Sequence, residues 1–195
     1  MIVAVDLDEV VFNFVDPYFE FLSEKYKKPL TRSMLTSDWS CERAGLTPKN
    51  SSRENLLEFG ELGGFKNLEL MPGARSALFD MALLHSIVFV TSREPESRYD
   101  TEYSLNELGY HHIPLYFSNH TGTTKGMILQ NMGVHYFIDD NPEYINEVRH
   151  RYNTCVSILM SQIPASIMAV GGGDIVSGWD ELRKKRPALF TAKRI

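Results

Sequence analysis

Four groups of polar residues, each close behind an apolar run, carry the chemistry that this sequence can do. Asp6 and Asp8 follow Ile2–Val5, Thr91 and Ser92 follow Ser86–Val90, Lys125 stands a few residues after Ile113–Phe117, and Asp139 with Asp140 closes His135–Ile138. Clustered carboxylates repel one another, a divalent cation offsets the repulsion, and hard oxygen donors suit Mg²⁺. A carboxylate can also take a phosphoryl group as an acyl phosphate, so Asp6 is a candidate nucleophile as well as a metal ligand. Residues two apart on an extended chain face the same side. Asp8 therefore reaches the same substrate atoms, protonating a leaving oxygen and later activating water. The hydroxyls of Thr91 and Ser92 and the Lys125 ammonium would grip the non-bridging phosphate oxygens. The set reads as a device for phosphoryl transfer.

Each group alone has a plainer explanation. An Asp after a strand is often a loop cap, Thr91-Ser92 could be an ordinary strand-end turn, and Asp139-Asp140 precedes Asn141-Pro142, a helix start in its own right. The argument rests on all four occurring at the same end of successive strands.

The runs that must position them are short, continuous and β-branched: Ile2–Val5, Ser86–Val90, Ile113–Phe117, His135–Ile138 and Val156–Met160. Continuous hydrophobicity predicts strands covered on both faces, as in a parallel sheet. Helix-sized stretches alternate with them at Ala74–Leu84, Ser97–Leu108, Thr123–Met132 and Asn141–Tyr152. The alternation predicts an α/β, doubly wound fold. Between the first two strands lie roughly 80 residues, far more than a crossover of about a dozen. The stretch 14–70 is rich in helix formers and aromatics, and predicts a small helical insertion over the carboxyl edge of the sheet, where such folds bind ligands. The domains expected are an α/β core of 1–13 and 71–195, and a helical cap of 14–70.

The 195 residues carry a formal net charge of −5, which argues against a protein built around a nucleic-acid backbone. The one basic patch, Arg183–Arg186 with Lys193 and Arg194, suits a solvated last helix and tail. Cys41 and Cys155 form no CxxC pair, so neither zinc nor a disulfide framework is expected. Acids arrive by residue 6, unlike a signal peptide, and nothing approaches 18 consecutive apolar residues. A cytoplasmic protein without membrane partners is the expectation, and a homodimer is compatible with it. Gly171–Gly173 and the Gly122–Gly126 stretch each lack half of a P-loop, and His111-His112 has no ligand spacing around it.

DLDEV, VTS, the single Lys125 and IDD match, in order, the four motifs of the haloacid dehalogenase-like (HAD) phosphohydrolases, over about residues 1–160. The cap, between the first and second motifs, is of the C1 type. A narrower resemblance is to the 5′(3′)-deoxyribonucleotidases. GGFKNLELMPGARSAL is similar to their segment of a Gly-Phe pair, a Pro-Gly-Ala turn and a helix. VTSRE resembles their Cys-Thr-Ser, YFIDDNP their Leu-Ile-Asp-Asp-Arg-Pro, and Val176–Leu182 their Val-x-x-Trp-x-Glu ending. The resemblance implies Asp6 as nucleophile and Asp8 as general acid/base. Mg²⁺ would be held by Asp6, the Asp8 backbone carbonyl and Asp139, with Asp140 supporting, and the phosphate by Thr91, Ser92 and Lys125. Phe14, Trp39 and Phe65 would wall a nucleoside pocket, with Arg93 either meeting substrate or forming a structural ion pair. The chain departs from the pattern at Glu9, where the family usually has Gly, and at Asn13, often an Asp. It departs also in the loop around Lys125 and Gly126. The function expected is a Mg²⁺-dependent 5′-nucleotidase whose partner is a nucleoside monophosphate. The alternatives are a HAD phosphatase for another small phosphomonoester or a polynucleotide end, and a catalytically silent binding protein.

Overall fold

The computed structural model describes residues 1–35, 41–42, 44–118, 122–163, 169–170 and 174–191. Six strands form one sheet: β1 (Ile2–Val5), β2 (Ser86–Thr91), β3 (Leu115–Phe117), β4 (Tyr136–Asp139), β5 (Val156–Met160) and β6 (Asp174–Val176). All neighbours are parallel, in the order β3-β2-β1-β4-β5-β6. This is the doubly wound arrangement expected. The third strand is two residues shorter than its apolar run, and the sixth was not anticipated: DIV is only three residues long and follows a glycine run.

The helices lying wholly within the described residues are α1 (Val15–Tyr26), α2 (Ser52–Glu61), α3 (Ala74–Ala82), α4 (Arg98–Glu107), α5 (Lys125–Met132), α6 (Pro142–Arg151) and α7 (Trp179–Lys185). Period-two alternation divides the buried sheet residues between two layers. Val3, Val5, Phe89 and Ile138 pack with Leu78 and Met81 of α3 and with Trp179 and Leu182 of α7. Ala4, Val88, Val90 and Phe137 pack with Leu129 of α5 and with Ile145 and Val148 of α6. Both faces of β1 are thus covered, which is why Ile2–Val5 is apolar without interruption.

Because β1 lies between β2 and β4, the strand order reverses at the β1–β4 pair, and a crevice opens there beyond the carboxyl ends. The segment between β1 and β2 carries α1, a 3₁₀ turn at Arg32–Met34, and α2. It leaves and rejoins the sheet through two linkers that pair with each other. Asn13 N–H donates to Glu69 O and Met71 N–H to Val11 O, each at 2.8 Å, around an antiparallel bridge of Phe12 with Leu70. No described helix is long and apolar enough to cross a membrane.

Candidate active site

The chain leaves β1 through one more ladder bond, Asp6 N–H to Ile138 O at 2.9 Å, and then turns sharply: the N–H groups of Val11 and Phe12 both donate to Leu7 O. The turn passes through Glu9, whose φ of 60° is left-handed. It is anchored from below by α7, where the buried indole of Trp179 donates to Val10 O at 2.8 Å. At Gly73 φ is +82°, and a Cβ there would meet the Trp179 Cβ at 3.2 Å. The Pro-Gly-Ala turn therefore needs glycine both for its conformation and to admit the tryptophan. Asp6 and Asp8 come to rest on one cavity of about 210 Å³, with Ser92, Arg93 and Asp140 around them and Phe14, Leu56, Phe65 and Tyr144 as its apolar wall.

Lys125 is wholly buried, and its Nζ bridges Asp6 Oδ1 at 2.6 Å and Asp139 Oδ2 at 2.7 Å. Burial works to discharge it, but Asp139 and Asp6 together hold the ammonium above the ordinary lysine range. The loop before it is built for this. Thr124 caps α5, accepting from Met127 N–H, while Glu147 of α6 accepts from the Thr124 hydroxyl and from Gly126 N–H. A Cβ at Gly126 would lie 2.6 Å from Glu147 Oε1, so the glycine after Lys125 makes room for the carboxylate that caps the helix.

One ligand oxygen each of Asp6, Asp139 and Asp140 falls within 4.8 Å of the others. Burial pushes Asp6 up to about 7 against the pull of Lys125, with Asp139 and Asp8 adding repulsion. Burial likewise raises Asp139, which Lys125 opposes, and carries Asp140 well above the usual range, with Asp139, Asp6 and Glu9 assisting. Three ionised carboxylates facing one ammonium would leave two uncompensated negative charges, which a divalent cation would neutralise. The donor set fits such an ion.

The Asp8 carboxylate is held from the other side of the cavity wall by Arg93. Arg93 grips it with both nitrogens of one edge: Nη2 to Oδ1 at 2.6 Å, and Nε to Oδ2 at 3.0 Å and to Oδ1 at 3.2 Å. Its remaining Nη1 donates to the Thr101 hydroxyl at 3.0 Å. The guanidinium lies 4.6 Å from the Phe65 centroid. Phe65 is stacked on Phe14 (5.9 Å, 5°), and Phe14 on Tyr18 (4.9 Å, 20°). A column thus runs from α1 to the Asp8 carboxylate.

Asp6, Asp8, Ser92, Arg93, Phe14, Phe65 and Asp140 all border the cavity, with Lys125 and Asp139 directly behind Asp6. Arg93 forms an ion pair with Asp8 and also borders the cavity. Thr91 is buried, its hydroxyl accepting from Arg93 N–H at 3.2 Å. Ser92 is the exposed hydroxyl of the pair. Trp39 lies outside the described residues. Leu56, Glu94, Asn141 and Tyr144 were not anticipated on the cavity wall. Tyr144 stands one helical turn beyond Asn141 and carries Lys125 Nζ 4.4 Å from its ring centre, a position that i,i+3 spacing from Asn141 could have flagged. Leu56 had no such signal.

Solved structures share the fold. A haloacid dehalogenase-like hydrolase from Streptococcus pneumoniae superposes with a TM-score of 0.70 at 13% identity, covering 94% of this chain and 97% of that one. A Bacillus subtilis protein described as a HAD-hydrolase, in a structure bound to magnesium, gives 0.63 at 17% identity, with 94% and 97% covered. Among curated protein sequences none matches significantly. The family model described as 5′ nucleotidase, deoxy (Pyrimidine), cytosolic type C protein matches residues 1–182, and the chain belongs to that family of phosphoric monoester hydrolases.

Proposed function

We propose that the protein is a Mg²⁺-dependent 5′-nucleotidase that dephosphorylates nucleoside monophosphates, deoxyribonucleotides foremost, through a phospho-aspartyl intermediate. The observation that carries this reading is the convergence of Asp6 and Asp8 on one cavity, with Lys125 spanning Asp6 and Asp139 behind it. Asp6, Asp139, Asp140 and the Asp8 backbone carbonyl would hold Mg²⁺, which when bound would offset the carboxylate charge and draw electron density from the phosphoryl oxygens.

Lys125 fixes the Asp6 carboxylate, leaving its second oxygen to attack phosphorus. The Asp6 O–P bond forms, the ester P–O bond breaks, and Asp8 passes its proton to the departing oxygen. Asp8 then takes a proton from water, whose oxygen attacks the phosphoryl group and returns Asp6 with inorganic phosphate. Proton donation needs one Asp8 oxygen free, so the Arg93 fork opens to a single contact on the first step and closes again as the carboxylate reforms. Ser92 supplies the exposed hydroxyl for the phosphate.

The nucleoside end is supported by the apolar wall of Phe14, Leu56, Phe65 and Tyr144. A base between two rings needs roughly 7 Å from face to face. Phe14 and Phe65 stand closer than that, so the base lies against the wall and not between these rings. At about 210 Å³ the cavity is smaller than the roughly 300 Å³ typical of a small-molecule site. The test is a phosphate-release screen with Mg²⁺ across ribo- and deoxyribonucleoside 5′- and 3′-monophosphates and sugar phosphates. Preference for deoxyribonucleoside 5′-monophosphates is expected, and faster release from sugar phosphates would overturn the substrate class.

A further inference from the structure

Glu9 is the one acid of the opening cluster that the chemistry above leaves idle. Its φ of 60° is a conformation that glycine adopts freely and a side chain resists. Its carboxylate is only 5% exposed, and a buried charge needs partners. All of those observed belong to the segment 14–70. Oε1 accepts from Phe14 N–H at 2.9 Å and from Val15 N–H at 2.8 Å, the first amides of α1. There the positive end of the helix favours an anion. Arg32 closes an ion pair on Oε2. The same guanidinium reaches Asn13 Oδ1 at 2.8 Å and Asp16 Oδ1 at 3.1 Å, and Asn13 Nδ2 donates to Asp16 at 3.0 Å. Glu9 also borders both the phosphate cavity and a larger one beyond it, of about 900 Å³, which Arg32 and Asn13 line.

The geometry points to Glu9 as a positioning residue: its carboxylate, one residue from Asp8, clamps the first helix of the segment 14–70 and Arg32, and so sets Phe14 in the apolar wall of the cavity. This inference rests on the reading of the cavity as a phosphomonoesterase site. Asp6 and Asp8 have supports of their own, in Lys125 and Arg93, and the turn has Trp179. The effect of losing the clamp therefore falls on substrate binding and spares the chemical step.

The test compares Glu9→Gly, which the backbone accepts without strain, with Glu9→Gln, which keeps the acceptor for the two amides but loses the ion pair, and with Arg32→Gln. Glu9→Gly should raise KM at least about fivefold while kcat changes less than about twofold, with Glu9→Gln in between. The Glu9→Gly/Arg32→Gln double variant should be no worse than the sum of the single changes allows, and clearly better than additive. Amide exchange at Phe14 and Val15 should accelerate about tenfold in Glu9→Gly, measured with no substrate present. Faster exchange with unchanged KM would reduce Glu9 to a structural cap and overturn the proposal, as would additive effects of the two variants. Failure of the wild type to hydrolyse any nucleotide would instead strike the substrate reading. KM on whichever phosphomonoester it does hydrolyse, together with the exchange rates, would still decide the role of Glu9.

Discussion

Arg93 holds both carboxylate oxygens of Asp8, at 2.6 Å and 3.0 Å, from a position where its own side chain is 1% exposed. A forked guanidinium–carboxylate contact fixes a rotamer as well as a charge. Lysine offers one point charge and no fork. Both Arg93→Lys and Arg93→Gln should therefore lower kcat by at least about tenfold, roughly 1.4 kcal/mol of barrier, with the lysine variant the milder. Steady-state phosphate release measures this.

Lys125 stands between two buried acids, and removing one partner of such a set costs about 3–5 kcal/mol, because a buried charge is left uncompensated. Lys125→Met should lower the melting temperature by more than an ordinary surface change would. Mg²⁺ should recover part of the loss in this variant. A melting temperature equal to wild type with a chelator present would contradict the ion-pair geometry.

Asp6 gives a pH dependence whose sign can be worked out. Its folded pKa, about 7, exceeds the unfolded value near about 4. Between those values the native state binds more protons than the unfolded state, so stability falls as pH rises through that window. Chelated wild type, compared with Asp6→Asn, should lose relative stability as pH rises from about 4 to about 7. Mg²⁺ affinity should weaken toward the acid end of the same window, because the ion must displace the proton. Thermal melts and metal titrations at several pH values test both. Asp6→Asn should also abolish phosphate release.

Gly126→Ala tests the capping of α5. Its Cβ would meet Glu147 Oε1 at 2.6 Å and Arg151 Cδ at 3.0 Å, which forces Glu147 off Thr124 and the start of the helix. The clash itself is relieved by swinging the flexible Glu147 side chain, so the expected loss is that of its capping hydrogen bonds, about 1 kcal/mol, together with lower kcat because Lys125 is the first residue of that helix. Glu147→Ala in the same background should therefore cost little further stability in thermal melts.

Much of the site could be read from strand ends, because a parallel sheet places equivalent positions side by side whatever lies between them. That logic brought Asp6, Lys125 and Asp139 together across stretches of 119 and 14 residues. What escaped it was pairing set by side-chain reach. Nothing local in VTSRE says that Arg93 turns back onto Asp8, 85 residues earlier. Glu9 was opaque for a different reason: left-handed turns are announced by glycine or asparagine, and a glutamate gives no such notice. The aromatics of the insertion divided in an instructive way. Phe14 and Phe65 do reach the cavity, yet they also pack on each other, Phe14 on Tyr18 and both on Phe59.

The bond from Trp179 to Val10 joins residues 169 positions apart, and it bears on the order in which the molecule can be completed. A nascent chain emerging from the ribosome can pair its central strands long before α7 is made. Until residue 179 is available, however, the turn behind Asp6 and Asp8 lacks its anchor. The turn at Val10 is thus locked late, after the central strands on either side of β1 can already have paired.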